Sequence, residues 1–323
     1  VKHMIFKLTQ FELRAHFKQI GFWIAALLLA WMTFIVTGQR GSNLLFANSA
    51  FAITQTTLFI VPNIIFVVCV LASSTLLRDS QYKMEPLIFA TPIDKFEYLT
   101  SRFLGLLFAT LTLMLFTIAV MMLTLIKLDP ALVGPFRLQY YFAAFCIFMV
   151  PTAIFTCCVV FATAMFSKSM IAVYVSGIAV YVLYIIGSVL GNSSMMATSS
   201  PLLNDSSGFA SLLEPYGFIA YMEQTAYWTA EQKNIVIPSL SGDLLLNRIL
   251  WLTVSVSLFV ATYYKFNFRQ PAPAKKAKAV REESRQEAVI EPYQALRINT
   301  DFQSFSFKIW LSKLKLEYAS ITR

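Results

Sequence analysis

Six stretches of this chain contain no Asp, Glu, Lys or Arg: 19–39, 41–77, 103–126, 138–167, 169–204 and 249–264. A helix needs about 20 residues to cross the hydrocarbon of a bilayer, with 17–25 as the usual range. Five of the stretches reach that length outright, and the sixth reaches it if Arg248 or Lys265 extends its charged end to the interface. The runs 41–77 and 169–204 exceed it and include part of a loop. Only 13% of the residues are charged and 57% are hydrophobic, where a soluble domain carries roughly 25% charged residues. Backbone in hydrocarbon must satisfy its own hydrogen bonds, which restricts such runs to helices. The expectation is an all-α polytopic membrane protein with six transmembrane helices, at about 20–37, 53–77, 103–126, 138–166, 170–190 and 247–264.

The net charge is +9, and its placement matters more than its sign. With the N-terminus on the inner side, inner segments hold 21 Lys/Arg: four in 1–18, four in 78–102, Lys168, and twelve in 265–323. Outer segments hold five: Arg40, Lys127, Arg137, Lys233 and Arg248. That is the positive-inside bias, so both termini are expected in the cytoplasm. The basic residues are accounted for by a lipid bilayer, and no nucleic-acid partner is called for.

The segment 78–102, RDSQYKMEPLIFATPIDKFEYLTSR, is a charged island between two apolar runs. Glu85-Pro86 puts a proline at a first helical position, where its missing N–H costs nothing. Pro92 ends that helix and biases Thr91 towards an extended conformation. Asp94 then stands as a helix N-cap with Glu97 at capping-box spacing, flanked by Ile93 and Tyr98 as a hydrophobic staple. The spacing predicts a short helix over 85–91, a break, and a second helix running through Arg102 into the next span.

Residues 1–18 place Ile5, Leu8, Phe11 (with Glu12 beside it) and Ala15 at helical spacing among Lys7, Arg14 and Lys18, as in a basic amphipathic helix on a membrane surface. The connection 191–246 begins Ser/Asn-rich and continues aromatic-rich, helix-compatible but interrupted near Pro215 and Gly217. It reads as one or two short helices at the outer interface or as a small outer cap. Asn192 and Asn204 begin glycosylation tripeptides of a kind that Ser-rich loops produce by chance. Residues 269–292 form a Pro/Ala/charge-rich tether. Residues 293–323 turn amphipathic and basic again, as the truncated start of a second unit would.

Catalytic patterns are sparse. None of the eleven glycines precedes a lysine, so the chain carries no phosphate-cradling loop, and neither His3 nor His16 begins a zinc-binding helix motif. The charge-free runs offer no titratable relay for ion-coupled transport or membrane catalysis. Their neutral polar residues and breakers, among them Thr54, Gln55, Thr56, Thr57, Pro62, Asn63, Pro151 and Thr152, either line a path or satisfy kinked backbone, and the second use is the commoner. Gly187 and Gly191 permit close helix packing. Cys69, Cys146, Cys157 and Cys158 all fall in apolar runs and read as small core residues.

Several segments, taken in order, resemble one family: FELRAHFKQIGFWIAALL at 11–28, FAITQT at 51–56, LLRDSQYKMEPLIFATPIDKFEYLTSRFLG at 76–105, DPALVGPFRL at 129–138, SKSMIAVYV at 167–175, LLEPYGFIAYMEQTAYWTAEQKN at 212–234 and LLLNRILWL at 244–252. The chain resembles the membrane subunits of ABC-2 type transporters, and more narrowly the first permease unit of long bacterial chains with two such units, some followed by an M1-type aminopeptidase domain. The resemblance covers about residues 4–268. No zinc motif lies in this sequence, so no peptidase role is carried over. What it implies is a permease domain over 1–268, an N-terminal connecting helix, and an inner coupling helix that docks on a separate ATP-binding subunit. ATP and Mg would be held by that subunit, and the chain would be no enzyme itself. A second permease unit would complete the pathway, in the inner membrane of a bacterial cell. Docking maps onto Arg78, Asp79, Glu85, Pro86, Leu87, Ile88, Phe89, Pro92, Asp94, Lys95, Glu97 and Arg102. The alternative reading is a non-transporting membrane anchor or scaffold for a C-terminal domain.

Overall fold

The computed structural model describes residues 2–42, 44–82, 84, 88, 93–191 and 207–266. The chain divides into two units, Val1–Gln270 and Pro271–Arg323. The second unit lies outside the described residues, and so do the tether 269–292 and the segment 293–323.

Apart from one isolated bridge between Ser42 and Leu45, helix is the only regular structure among the described residues. Six helices are long and apolar enough to cross a membrane: Ile20–Gly38, Ala50–Thr75, Lys95–Leu125, Leu138–Ser167, Met170–Leu190 and Gly242–Lys265. This is an all-α, multi-pass membrane protein. The third span begins well before the expected 103, because the charged turn is continuous with it. Its N-cap is Asp94, with extended φ/ψ, although the Asp94 side chain makes no capping hydrogen bond. The sixth begins at Gly242, not 247, which adds Asp243 to the helix that carries Asn247 and Arg248.

The second and fourth spans are the centre of the bundle, with 72% and 67% of their apolar windows buried, against 22–33% for the first, fifth and sixth. The outer three turn large apolar side chains such as Ile24, Leu27, Ile178, Ile186 and Val256 outwards, as a lipid-facing surface requires. The fourth span packs on the sixth, the fifth on the second half of the second span, and the first on the third.

Both central spans are interrupted at their prolines. A 3₁₀ turn covers Val61–Asn63. The Phe59 carbonyl there receives the Asn63 Nδ2–H at 3.0 Å. Pro151 withholds the N–H that the Ile147 carbonyl would accept, and the helix widens into a π turn over Phe145–Met149. Most buried span hydroxyls bond back to their own helix: Thr54 to Ala50 O at 2.8 Å, Thr110 to Leu106 O at 2.9 Å, Thr156 to Thr152 O at 2.8 Å. Gln55 Oε1 accepts from Arg40 Nη1 at 2.9 Å. Span polarity therefore goes largely into kinks and helix packing. Cys69, Cys157 and Cys158 are buried, but Cys146 is exposed, so only three of the four cysteines are core residues.

Candidate functional site

The bundle has two differently built ends. At one, the N-terminal helix Lys2–Lys18 lies against the third span. The face it buries is not the apolar stripe expected from spacing. Thr9, Glu12 and His16 are buried, Ile5, Leu8 and Ala15 are half-buried, and Phe11 is 58% exposed. Gly105 explains the close approach: a Cβ there would stand 2.6 Å from Glu12 Cβ.

Glu12 enters a cluster of four charges drawn from three elements. Arg78 Nη2 and Arg102 Nη2 each stand 3.7 Å from Glu12 Oε1. Arg102 Nη2 also pairs closely with Asp79 Oδ2, which accepts from the Tyr98 hydroxyl at 3.2 Å. Arg102 Nη1 reaches the carbonyls of Thr75 and Leu76, 3.4 Å each, at the C-terminal end of the second span. A cation there offsets the negative end of the helix dipole. The guanidiniums also lie over rings, Arg102 over Tyr98 at 4.8 Å and Arg78 over Phe11 at 5.9 Å. Burial raises the Glu12 pKa above the ordinary carboxylate range, although Arg102 and Arg78 pull the other way. Burial, aided by Arg78, pushes His16 down to about 4.

A cavity of about 350 Å³ opens beside the cluster, with Phe11, Arg78, Asp79, Met84, Ile88 and Tyr98 in its wall. Of the docking residues expected from sequence, Asp79, Glu97 and Arg102 are buried. Arg78, Ile88 and Lys95 are partly buried and Asp94 is exposed. Glu85, Pro86, Leu87, Phe89 and Pro92, with the helix expected over 85–91, lie outside the described residues. Arg78, Asp79 and Arg102 thus meet in one junction, which Asp94 does not join. Sequence reasoning missed Glu12 and His16 as its members. The available signal was a carboxylate on the supposedly membrane-facing stripe of the first helix.

At the opposite end, three short helices, Ser207–Leu213, Phe218–Thr225 and Ala230–Ile235, form a cap; the glycosylation tripeptides at Asn192 and Asn204 lie outside the described residues. The break at Pro215 and Gly217 is present, with Gly217 at φ 73°. Glu214 fills that break. Its two oxygens accept from Tyr216 N at 2.7 Å and Phe218 N at 2.6 Å. Burial raises its carboxyl to about 7, against the pull of Arg248. Asn247 Nδ2 donates to Ser211 O and Glu214 O, 2.6 Å each, and Trp251 Nε1 donates to Leu212 O at 3.0 Å. Gly187 lets the cap sit close, since a Cβ would stand 2.9 Å from Glu214 Cβ. Two asparagines close the remaining loops: Asn48 bonds Gly134 N and O, and Asn234 bonds Phe46 N and Leu44 O. Tyr140 and Tyr141, at the start of the fourth span, are buried here.

No protein-family model and no curated protein matches the chain. The class defined by its fold is that of a multi-pass helical membrane protein.

Proposed function

We propose that the chain is the membrane-spanning permease unit of an ATP-driven, ABC-2 type transporter, with hydrolysis performed by a separate ATP-binding subunit that holds ATP and Mg. One observation carries this reading. Glu12, Arg78, Asp79 and Arg102 fasten the N-terminal helix, the end of the second span and the start of the third into a single buried junction. The segment leaving that junction, 82–93, is the one whose sequence resembles the family's coupling helix. A partner gripping it would act on two span ends and the surface helix together. Rigid junctions transmit displacement because buried charge pairs resist separation. On this reading Glu85–Thr91 touches the ATPase, while Asp79, Glu97 and Arg102 pass the motion on. The junction faces the cytoplasm, as do both termini, and the membrane is the bacterial inner membrane. A second permease unit completes the pathway.

The experiment is to replace Glu85 and residues 87–89, then measure co-purification with the ATP-binding subunit and its stimulated hydrolysis. Both are expected to drop while the permease remains folded. Unchanged binding and turnover would sink the docking assignment and leave the membrane-anchor reading standing.

A further inference from the structure

Two cavities share the first turns of the fourth span. Arg137 and Tyr140 line one of about 440 Å³, set among the cap loops with Phe46, Asn234 and Glu231 also in its wall. Leu138, Tyr141, Phe142 and Phe145 line the other, a groove of about 490 Å³ against Leu115 and Ile118 of the third span. Arg137 and Leu138 are consecutive, so the charged cavity and the apolar groove are lined by neighbouring residues at the start of the fourth span.

The groove opens sideways. Leu115, Leu138 and Phe142 are 53–67% exposed. It sits in the half of the membrane nearest the cap, because Leu138 is the first residue of its span. Phe145, at its edge, begins the π turn that widens the helix, and such turns recur at functional sites.

The cavity is chemically specific. It contains a guanidinium and a carboxylate, both on exposed residues. Tyr140 is 4% exposed and lines the cavity. Its ring lies 5.9 Å from the Arg137 guanidinium. Arginine takes phosphate through paired N–H donors. A carboxylate in the same cavity repels a purely anionic group but welcomes an ammonium.

We propose that the two cavities form one binding site for a phospholipid of the cap-side leaflet whose headgroup carries a phosphate and a primary ammonium. The phosphate lies on Arg137 and the Tyr140 hydroxyl, the ammonium on Glu231, and one acyl chain in the groove beside Ile118 and Phe142. The site does not depend on an ATPase partner at the other end of the bundle.

The test uses the full chain in phosphatidylcholine nanodiscs containing a trace of phosphatidylethanolamine or phosphatidylglycerol with a diazirine in one acyl chain. Labelled residues are mapped by mass spectrometry. The ethanolamine lipid is expected to label 115–118 and 138–145 several-fold more than the glycerol lipid. Glu231→Gln, on an exposed side chain, should cut that preference by about threefold, the scale of an exposed ion pair. Arg137→Gln should lower labelling by both lipids. Ile118→Trp should fill the groove and shift the label elsewhere. Equal labelling by the two lipids, an undiminished preference in Glu231→Gln, or label spread evenly over the lipid-facing spans would each overturn the proposal.

Discussion

The guanidinium of Arg102 stands 3.7 Å from the carboxylate of Glu12, tying the third span to the N-terminal helix through two side chains that are both buried. Removing the arginine leaves Glu12 and Asp79 to share the partly exposed Arg78. Breaking a buried pair from one side costs about 3–5 kcal/mol, whereas replacing all members by neutral groups is often close to neutral. Arg102→Met is therefore expected to lower thermal stability in detergent sharply. The combined Glu12→Gln, Asp79→Asn, Arg102→Met protein should recover most of the loss. A triple variant no better than the single one would show that the cluster contributes by packing alone.

Gly105 tests the same junction by volume. A methyl group there would meet Glu12 Cβ at 2.6 Å, whereas at Gly38 nothing lies within 4 Å. Gly105→Ala should destabilise by about 1–3 kcal/mol, as overpacking does, and raise hydrogen exchange in Lys2–Lys18. Gly38→Ala should be neutral, or stabilising by a few tenths of a kcal/mol, because alanine is the better helix former. Equal effects at both positions would argue against the tight contact.

The spans were legible because charge exclusion is a strong signal over about 20 residues, and three of the six observed spans, the first, fourth and fifth, fall within one residue of their expected bounds at both ends. The helix start after Asp94, running through Arg102 into the third span, was expected and is present, whereas the sixth helix begins earlier than its charge-free run, at Gly242. Within 78–102, the helix start after Asp94 was legible. The segment's internal destination was not, because spacing cannot say that Asp79 and Arg102 turn inwards to meet Glu12. The same holds in the cap, where Pro215 and Gly217 announced the break but nothing announced Glu214 as the group that fills it. Pairings across distant segments are tertiary, and single-sequence periodicity carries no information about them.

Asn247 fastens the cap to the sixth span through two 2.6 Å hydrogen bonds to Ser211 O and Glu214 O. Asn247→Leu leaves two buried carbonyls without that donor, at about 1–3 kcal/mol for each group left unsatisfied. Proteolysis or hydrogen exchange within 207–225 should increase, while exchange in Lys2–Lys18 at the far end should not. A uniform increase at both ends would mean that the bundle unfolds as one unit.

Glu214 gives the cap a pH dependence whose sign is fixed by burial. Its carboxyl titrates near 7 in the folded protein, against the ordinary value of 4.5. The folded state therefore binds the proton more tightly than the unfolded one, and stability from this group is present at low pH and lost as pH rises from about 4.5 to 7. Arg248, Tyr184 and Tyr216 are the charged and titratable groups that interact with it. His16 acts in the opposite sense: with its folded pKa near 4, its contribution is lost as pH falls from about 6.5 to 4. The Glu214 effect is thus read as the difference between the native chain and Glu214→Gln at each pH. The two melting curves should nearly coincide at pH 5, where the native carboxyl is protonated and resembles the amide. By pH 8 the variant should be relatively more stable, by up to about 3 kcal/mol for a shift of this size. A constant difference across the range would mean that Glu214 is ionised throughout and held by Tyr216 and Phe218 N–H groups strongly enough to offset its burial.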